Sequence, residues 1–326
     1  MEEKKKKFRL FDMNRDGPGV SKDEGPLIPN FKNMPKFYFR HFTKLLSLDM
    51  LMLPLIVIPF ALVYLYLISP TTPSQTSVLY STIFGSHIMT NDPVWTSLLG
   101  VYGMQLDLHV FNTGFIITFA VLVLVMACLW GPINIGATYI CRSLVRGEPV
   151  FVWSDFKYAV KRNFKQGFLF GLIDFAALFA LGFDLWNYSQ VGGSFWLDFL
   201  FFAIIGVIVL YLLMRFYIYL MIVTFDMKLR KILKNALIFS ILGIWRNLMG
   251  TLGILVLIIL NVLLIIAFWP LNIVVPVIFP VFYLLPSICA FKTYAAYPVI
   301  EKYMIKYEPT AGDDPDAEDN EEIPQV

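Results

Sequence analysis

Two ionisable residues occupy positions that an apolar chain accommodates with difficulty. Asp174 falls in the uncharged run 168–183 and Arg215 near the end of the run 199–225, where it is the only charge. A charge in hydrocarbon is costly, so such a group faces a partner, a water-filled cavity or the interface. Three chemistries are open: neutralisation of Asp174 by Arg215 between neighbouring helices, snorkelling of Arg215 to the interface, or a proton or solute pathway. On the first, Asp174→Asn and Arg215→Gln should each lower folded yield, and a charge swap should restore it. A second concentration of charge is the stretch 141–162, CRSLVRGEPVFVWSDFKYAVKR, in a chain only 15% charged. It reads as an active site, a docking surface or a wet connector between apolar segments.

Other chemistry has no visible carrier. The chain has no G-x-x-x-x-G-K-[ST], G-x-G-x-x-G, G-x-S-x-G or H-E-x-x-H. His41, His87 and His109 are scattered, and Cys128, Cys141 and Cys289 form no C-x-x-C. The acids of 313–322 lack the central glycine and alternation of a calcium loop. No metal, cofactor or nucleic acid is expected, and the chain does not read as an enzyme.

The elements that must carry these residues are membrane helices. The 326 residues are 58% hydrophobic, with 30 phenylalanines and a mean hydropathy of +0.67. Six runs approach the roughly 20 residues that a bilayer span needs: 48–69, 113–130, 168–185, 195–223, 251–269 and 273–297. The expected fold is therefore an all-α polytopic membrane bundle of about six helices. The segment 70–112 contains no Lys or Arg, whereas 1–44 contains eleven, 131–167 six and 224–248 five. The positive-inside bias then puts both termini in the cytoplasm. Three regions follow: a basic segment 1–47, a transmembrane domain 48–300 and an acidic, disordered tail 301–326. No cleavable leader is expected, since the first apolar run starts near residue 48.

Basic aromatic stretches precede the spans that enter from inside: 37–44, 155–166 and 229–247. In the second, Lys157, Lys161 and Lys165 share one helical face, the pattern of an interfacial amphipathic helix. On the outer side, Asp92-Pro93 predicts a short helix from 93 to about 102 with Trp95, Leu98, Leu99 and Tyr102 on one stripe. Asn261 reads as an interhelical hydrogen-bonding group. The prolines of the first and sixth spans (Pro54, Pro59, Pro276, Pro280, Pro286) read as packing kinks or as the lining of a cavity.

Around the charged connector, Gly131-Pro132 should end or kink the second span, and Gly147 should close the helix that follows it, with Pro149 just beyond. Ser154 or Asp155 should cap the next helix. The run GPINIGATYICRSLVRGEPVFVWSDFKYAVKRNFKQG resembles the YesL-like family of bacterial integral membrane proteins, a family defined by a domain of unknown function. DMNRDGPGVSKDEGP, LRKILKNALIF and WRNL are similar too, so the resemblance spans nearly the whole chain except the acidic tail. It implies a multi-pass protein of the bacterial cell membrane, often encoded beside carbohydrate-uptake ABC transporters. It carries no known activity and no catalytic residue. The matching positions are Gly131, Pro132, Arg142, Arg146, Gly147, Glu148, Trp153, Asp155 and Phe156. Topology accounts for the arginines; Glu148, Trp153 and Asp155 exceed it and are candidates for docking a partner. The expected function is a permease-like or accessory component of carbohydrate uptake, in contact with lipid and possible ABC-transporter subunits. A stand-alone transporter or channel and a structural or assembly protein are the alternatives.

Overall fold

The computed structural model describes residues 29–69, 71–73, 93–94, 107–109, 111–190, 195–268 and 279–306. Nine α-helices lie within them. In chain order they are α1 (Met34–Met52), α2 (Pro54–Leu67), α3 (Thr113–Val145), α4 (Val152–Arg162), α5 (Phe164–Gln190), α6 (Phe195–Thr224), α7 (Leu229–Leu242), α8 (Ile244–Phe268) and α9 (Leu284–Ile300). Two three-residue strands, β1 (Thr71–Pro73) and β2 (Asp107–His109), pair antiparallel between α2 and α3, with Thr71 opposite His109.

Four helices (α3, α5, α6 and α8) are long and apolar enough to cross a membrane, and α1 with α2 forms a fifth candidate bent by 48°. The bend lies at Leu53-Pro54, where the proline has no N–H to return to the preceding turn. The expected first span, 48–69, is thus two helices, and the basic aromatic stretch before it is the beginning of α1. The expected sixth span, 273–297, is described only from residue 279: a short 3₁₀ turn (Phe279–Phe282), then the 17-residue α9. Most of the expected outer helix 93–102 and the termini 1–28 and 307–326 lie outside the described residues.

One arrangement occurs three times. A helix with a basic or amphipathic face is followed, after a single non-helical residue, by an apolar helix: α1–Leu53–α2, α4–Asn163–α5 and α7–Gly243–α8. The breaks have separate local causes. At 53 it is the following proline. At 163 the asparagine amide donates to Ala159 O at 3.0 Å, competing with the helical ladder. At 243 it is glycine, the weakest helix former after proline.

The helices converge at one end. Ile133, Ile135, Ala137, Ile140 and Leu144 of α3 are buried against Tyr217–Val223 of α6 and the second half of α9. At the other end, Phe195, Trp196, Phe199 and Phe202 of α6 and Ile116 and Ile117 of α3 stay exposed. Lipid tails are as apolar as these side chains, so a bilayer removes the penalty that water would impose on them.

Of the two expected effects of Gly131-Pro132, an end or a kink, the end is not realised: α3 runs unbroken through both to Val145. The reason is tertiary. Gly131 abuts Gly167 and Gly171 of α5, and a Cβ at 131 would overlap the Gly167 carbonyl oxygen and come within 2.8 Å of Gly171 Cα. Gly167-x-x-x-Gly171 is the small-residue spacing that lets membrane helices approach backbone to backbone. The contact packs α3 on α5 at the residue before the proline. About four turns later the helix closes where expected. Gly147 adopts φ 73°, its N–H donates to Leu144 O at 3.1 Å, and the Glu148 N–H donates to Ser143 O at 2.9 Å. This is a complete Schellman closure, which needs the left-handed conformation at that one residue.

Candidate functional site

The connector residues are placed by helix ends. Arg142 is buried, and its Nη1 donates to Val223 O at 2.7 Å and lies 3.4 Å from Thr224 Oγ1, with the guanidinium 4.7 Å from the Tyr139 ring centre. It therefore caps the C-terminus of α6 from α3, where orphan carbonyls and the helix dipole both favour a cation. Arg142→Ala is expected to destabilise the detergent-purified protein by about 1.5–3 kcal/mol, the worth of a charged hydrogen bond. Arg146→Ala should cost less than about 1 kcal/mol, because its ion pair with Glu148 (3.1 Å) is largely exposed. Denaturant unfolding of the two variants side by side checks the ordering.

Asp155 is also occupied locally. Helix α4 begins at Val152 rather than after Ser154, and Asp155 Oδ2 accepts the Phe151 N–H at 2.8 Å, which ties down the helix start. Phe156 covers Gly136, where a Cβ would come within 2.5 Å of its Cδ2. Of the candidate motif, Trp153 is the residue that projects, 72% exposed beside the equally exposed Phe151. Glycine and aromatic positions of the motif thus pack α3 against α4 and α5, and its charges fasten helix ends.

Asp174 and Arg215 come together at the centre of the bundle. Asp174 lies ten residues into α5, and Arg215 lies nine residues before the end of α6. That is about 14–15 Å of helix in each case. Arg215 Nη2 donates to Asp174 Oδ2 at 2.9 Å and Nε stands 2.8 Å from Oδ1. Three neutral donors complete the shell: Trp130 Nε1 to Oδ2 at 2.8 Å, Tyr219 OH to Oδ2 at 2.7 Å and Tyr211 OH to Oδ1 at 2.7 Å. The carboxylate is fully buried and accepts from four side chains on two helices, α3 and α6. Such enclosure offsets the desolvation of the charge because the ion pair comes with several further hydrogen bonds to the carboxylate.

The sequence reading picked out the two charges but not their companions. Tyr211, Arg215 and Tyr219 stand at i, i+4 and i+8 on one face of α6, a spacing that is legible once Asp174 is known to oppose it. Trp130, one residue before the Gly131 contact, has no such signal.

Beside this network lies a cavity of about 230 Å³. Met52 and Leu55 wall it from the α1–α2 bend, Asn134 and Thr138 from α3, Arg215 and Tyr219 from α6, and Cys289, Lys292 and Thr293 from α9. It is bordered by α3 and α6, two helices of membrane-spanning length, and by the shorter α9. Sequence reading did not single out Lys292. The Asn261 amide donates to Leu257 O within its own helix, and the Tyr283 hydroxyl donates to Asn261 Oδ1.

Residues 108–185 match the family model described as a protein of unknown function, DUF624. This stretch includes α3, α4 and the part of α5 bearing Asp174, but not Arg215 or Lys292. No curated protein and no solved structure matches the chain. Residues 108–185, which hold the glycine contact, the Schellman closure and the buried carboxylate, carry the domain of unknown function DUF624, in agreement with the YesL-like resemblance.

Proposed function

We propose that this chain is a permease-like component of the bacterial cell membrane, not an enzyme, and that it holds a small polar solute in the cavity between α1, α3, α6 and α9. The observation that carries the reading is that cavity. A bundle built only for support would fill the space with apolar side chains, whereas here Asn134, Thr138, Arg215, Lys292 and Thr293 border it. Its volume of about 230 Å³ suits a solute smaller than the ligands of pockets of about 300–1,000 Å³. Association with carbohydrate uptake, and with ABC-transporter subunits as partners, rests on the family resemblance. The cytoplasmic placement of both termini rests on the distribution of Lys and Arg. Trp153, exposed on α4, is the side chain best placed to meet a partner.

Reconstitution into liposomes tests the reading. Uptake of a labelled solute above that of protein-free vesicles is expected, and filling the cavity with Thr138→Phe should abolish it without loss of folded protein. Absence of flux, together with absence of any co-purifying transporter subunit, would leave a structural or assembly role. That second reading draws support from the close glycine seam between α3 and α5 and from the fully satisfied Asp174.

A further inference from the structure

The charges around the cavity do not balance. Arg215 is neutralised by Asp174, which leaves the Lys292 ammonium without a carboxylate. Among the described residues Lys292 forms no hydrogen bond and no ion pair, and its Nζ lies 5.9 Å from the centroid of the Phe216 ring. No Asp or Glu lines the cavity. Asp49, one turn before Met52, is buried with both oxygens unpartnered, and it forms no ion pair with Lys292.

The neighbouring polar groups have the same bias. Asn134 uses one amide hydrogen on Trp130 O at 2.7 Å, leaving the other. Thr138 Oγ1 has only the Cys289 sulfur, at 3.8 Å, as a partner. Thr293 has committed its proton to Cys289 O at 2.9 Å. The wall therefore offers an ammonium, an amide N–H and a hydroxyl, and carries net charge +1 from Arg215, Lys292 and Asp174. An isolated ammonium at this depth is costly unless an anion accompanies it. A cation or a wholly neutral solute would leave that cost standing.

We propose that the cavity binds a small oxyanion, a carboxylate or phosphate group, with Lys292 as its counter-charge and Asn134 and Thr138 as hydrogen-bond donors. This rests on the cavity being the binding site proposed above and names its ligand class. The oxyanion belongs either to a free solute or to the headgroup of an anionic lipid reaching in between the helices.

The test uses the full-length protein and three probes: inorganic phosphate, glucuronate, and glucose as the neutral counterpart of glucuronate. Binding is read as protection of Cys289, which lines the cavity, from maleimide alkylation, quantified on its own peptide by mass spectrometry. In phosphatidylcholine nanodiscs, phosphate or glucuronate is expected to protect Cys289 saturably, while glucose does not. Lys292→Gln and Lys292→Met, both folded by size exclusion because they remove an unpaired charge, should weaken that protection about tenfold or more. Lys292→Arg should retain it. Protection by phosphatidylglycerol in the nanodisc, with none by the free probes, would assign the oxyanion to a lipid headgroup and still support the site, provided Lys292→Gln abolishes it. Equal protection by glucose, or protection indifferent to Lys292→Gln, would overturn the oxyanion site while leaving a solute cavity. Absence of protection by every probe, with solute flux intact in liposomes, would overturn it as well. Lys292-dependent protection without flux would keep the site and sink the permease.

Discussion

Asp174→Asn is expected to cut the yield of monodisperse protein severely and to lower its stability by about 3–5 kcal/mol, the cost of leaving one member of a buried ion pair without its counter-charge. The size follows from what remains. The Arg215 guanidinium loses its counter-ion, and Trp130, Tyr211 and Tyr219 lose the charged acceptor they share. Tyr211→Phe and Tyr219→Phe should each cost about 1.5–3 kcal/mol by removing one charged hydrogen bond. The sequence alone suggested that exchanging the two charges would rescue the pair. The geometry predicts otherwise, because Asp174→Arg with Arg215→Asp points a guanidinium at three donors that require an acceptor. Thermal unfolding in detergent decides the matter: recovery of the double exchange to the wild-type midpoint would show that the ion pair acts alone and that the surrounding donors contribute nothing.

Gly131→Val should be comparably damaging although no charge is involved. The new Cβ would meet backbone, the carbonyl oxygen of Gly167 and the Cα of Gly171, and backbone cannot rotate aside as a side chain can. Helices α3 and α5 would have to move apart, loosening the contact that places Trp130 against Asp174. Overpacking usually costs about 1–3 kcal/mol, and the rigid neighbours argue for the upper end or beyond. Gly182, on the same α5 but with open space around its position, supplies the control: Gly182→Ala should be neutral or stabilising by up to about 1 kcal/mol through helix propensity. Circular dichroism melts of both variants check this. A Gly131→Val protein that melts with Gly182→Ala would remove the close approach as an explanation for the uninterrupted α3.

Much of the architecture was legible because bilayer solvation acts on segments rather than on contacts. Long uncharged runs identified α3, α5, α6 and α8, since length and apolarity alone let a helix cross hydrocarbon. Gly147 was legible as a helix end for a similarly local reason: a Schellman closure needs one left-handed residue, and glycine before a proline announces it. Gly131-Pro132 was misleading because the same two residue types also serve a helix–helix contact, and sequence order does not say which. Asp155, a docking candidate on sequence, has a local role as well, since its Oδ2 accepts the Phe151 N–H four residues back.

The sequence by itself determined which segments are apolar enough to leave water, that a helix closes at Gly147, and that Asp174 and Arg215 need an explanation. These follow from composition and local backbone chemistry, which act over a few residues. Only the tertiary structure decided what that explanation is. It brought Trp130, Tyr211 and Tyr219 from two helices around one carboxylate, let α3 pass its proline against two glycines of α5, and left Lys292 facing a cavity without a counter-charge. Such placements depend on which faces of distant helices meet, and the energies that choose among them exist only once the helices are packed.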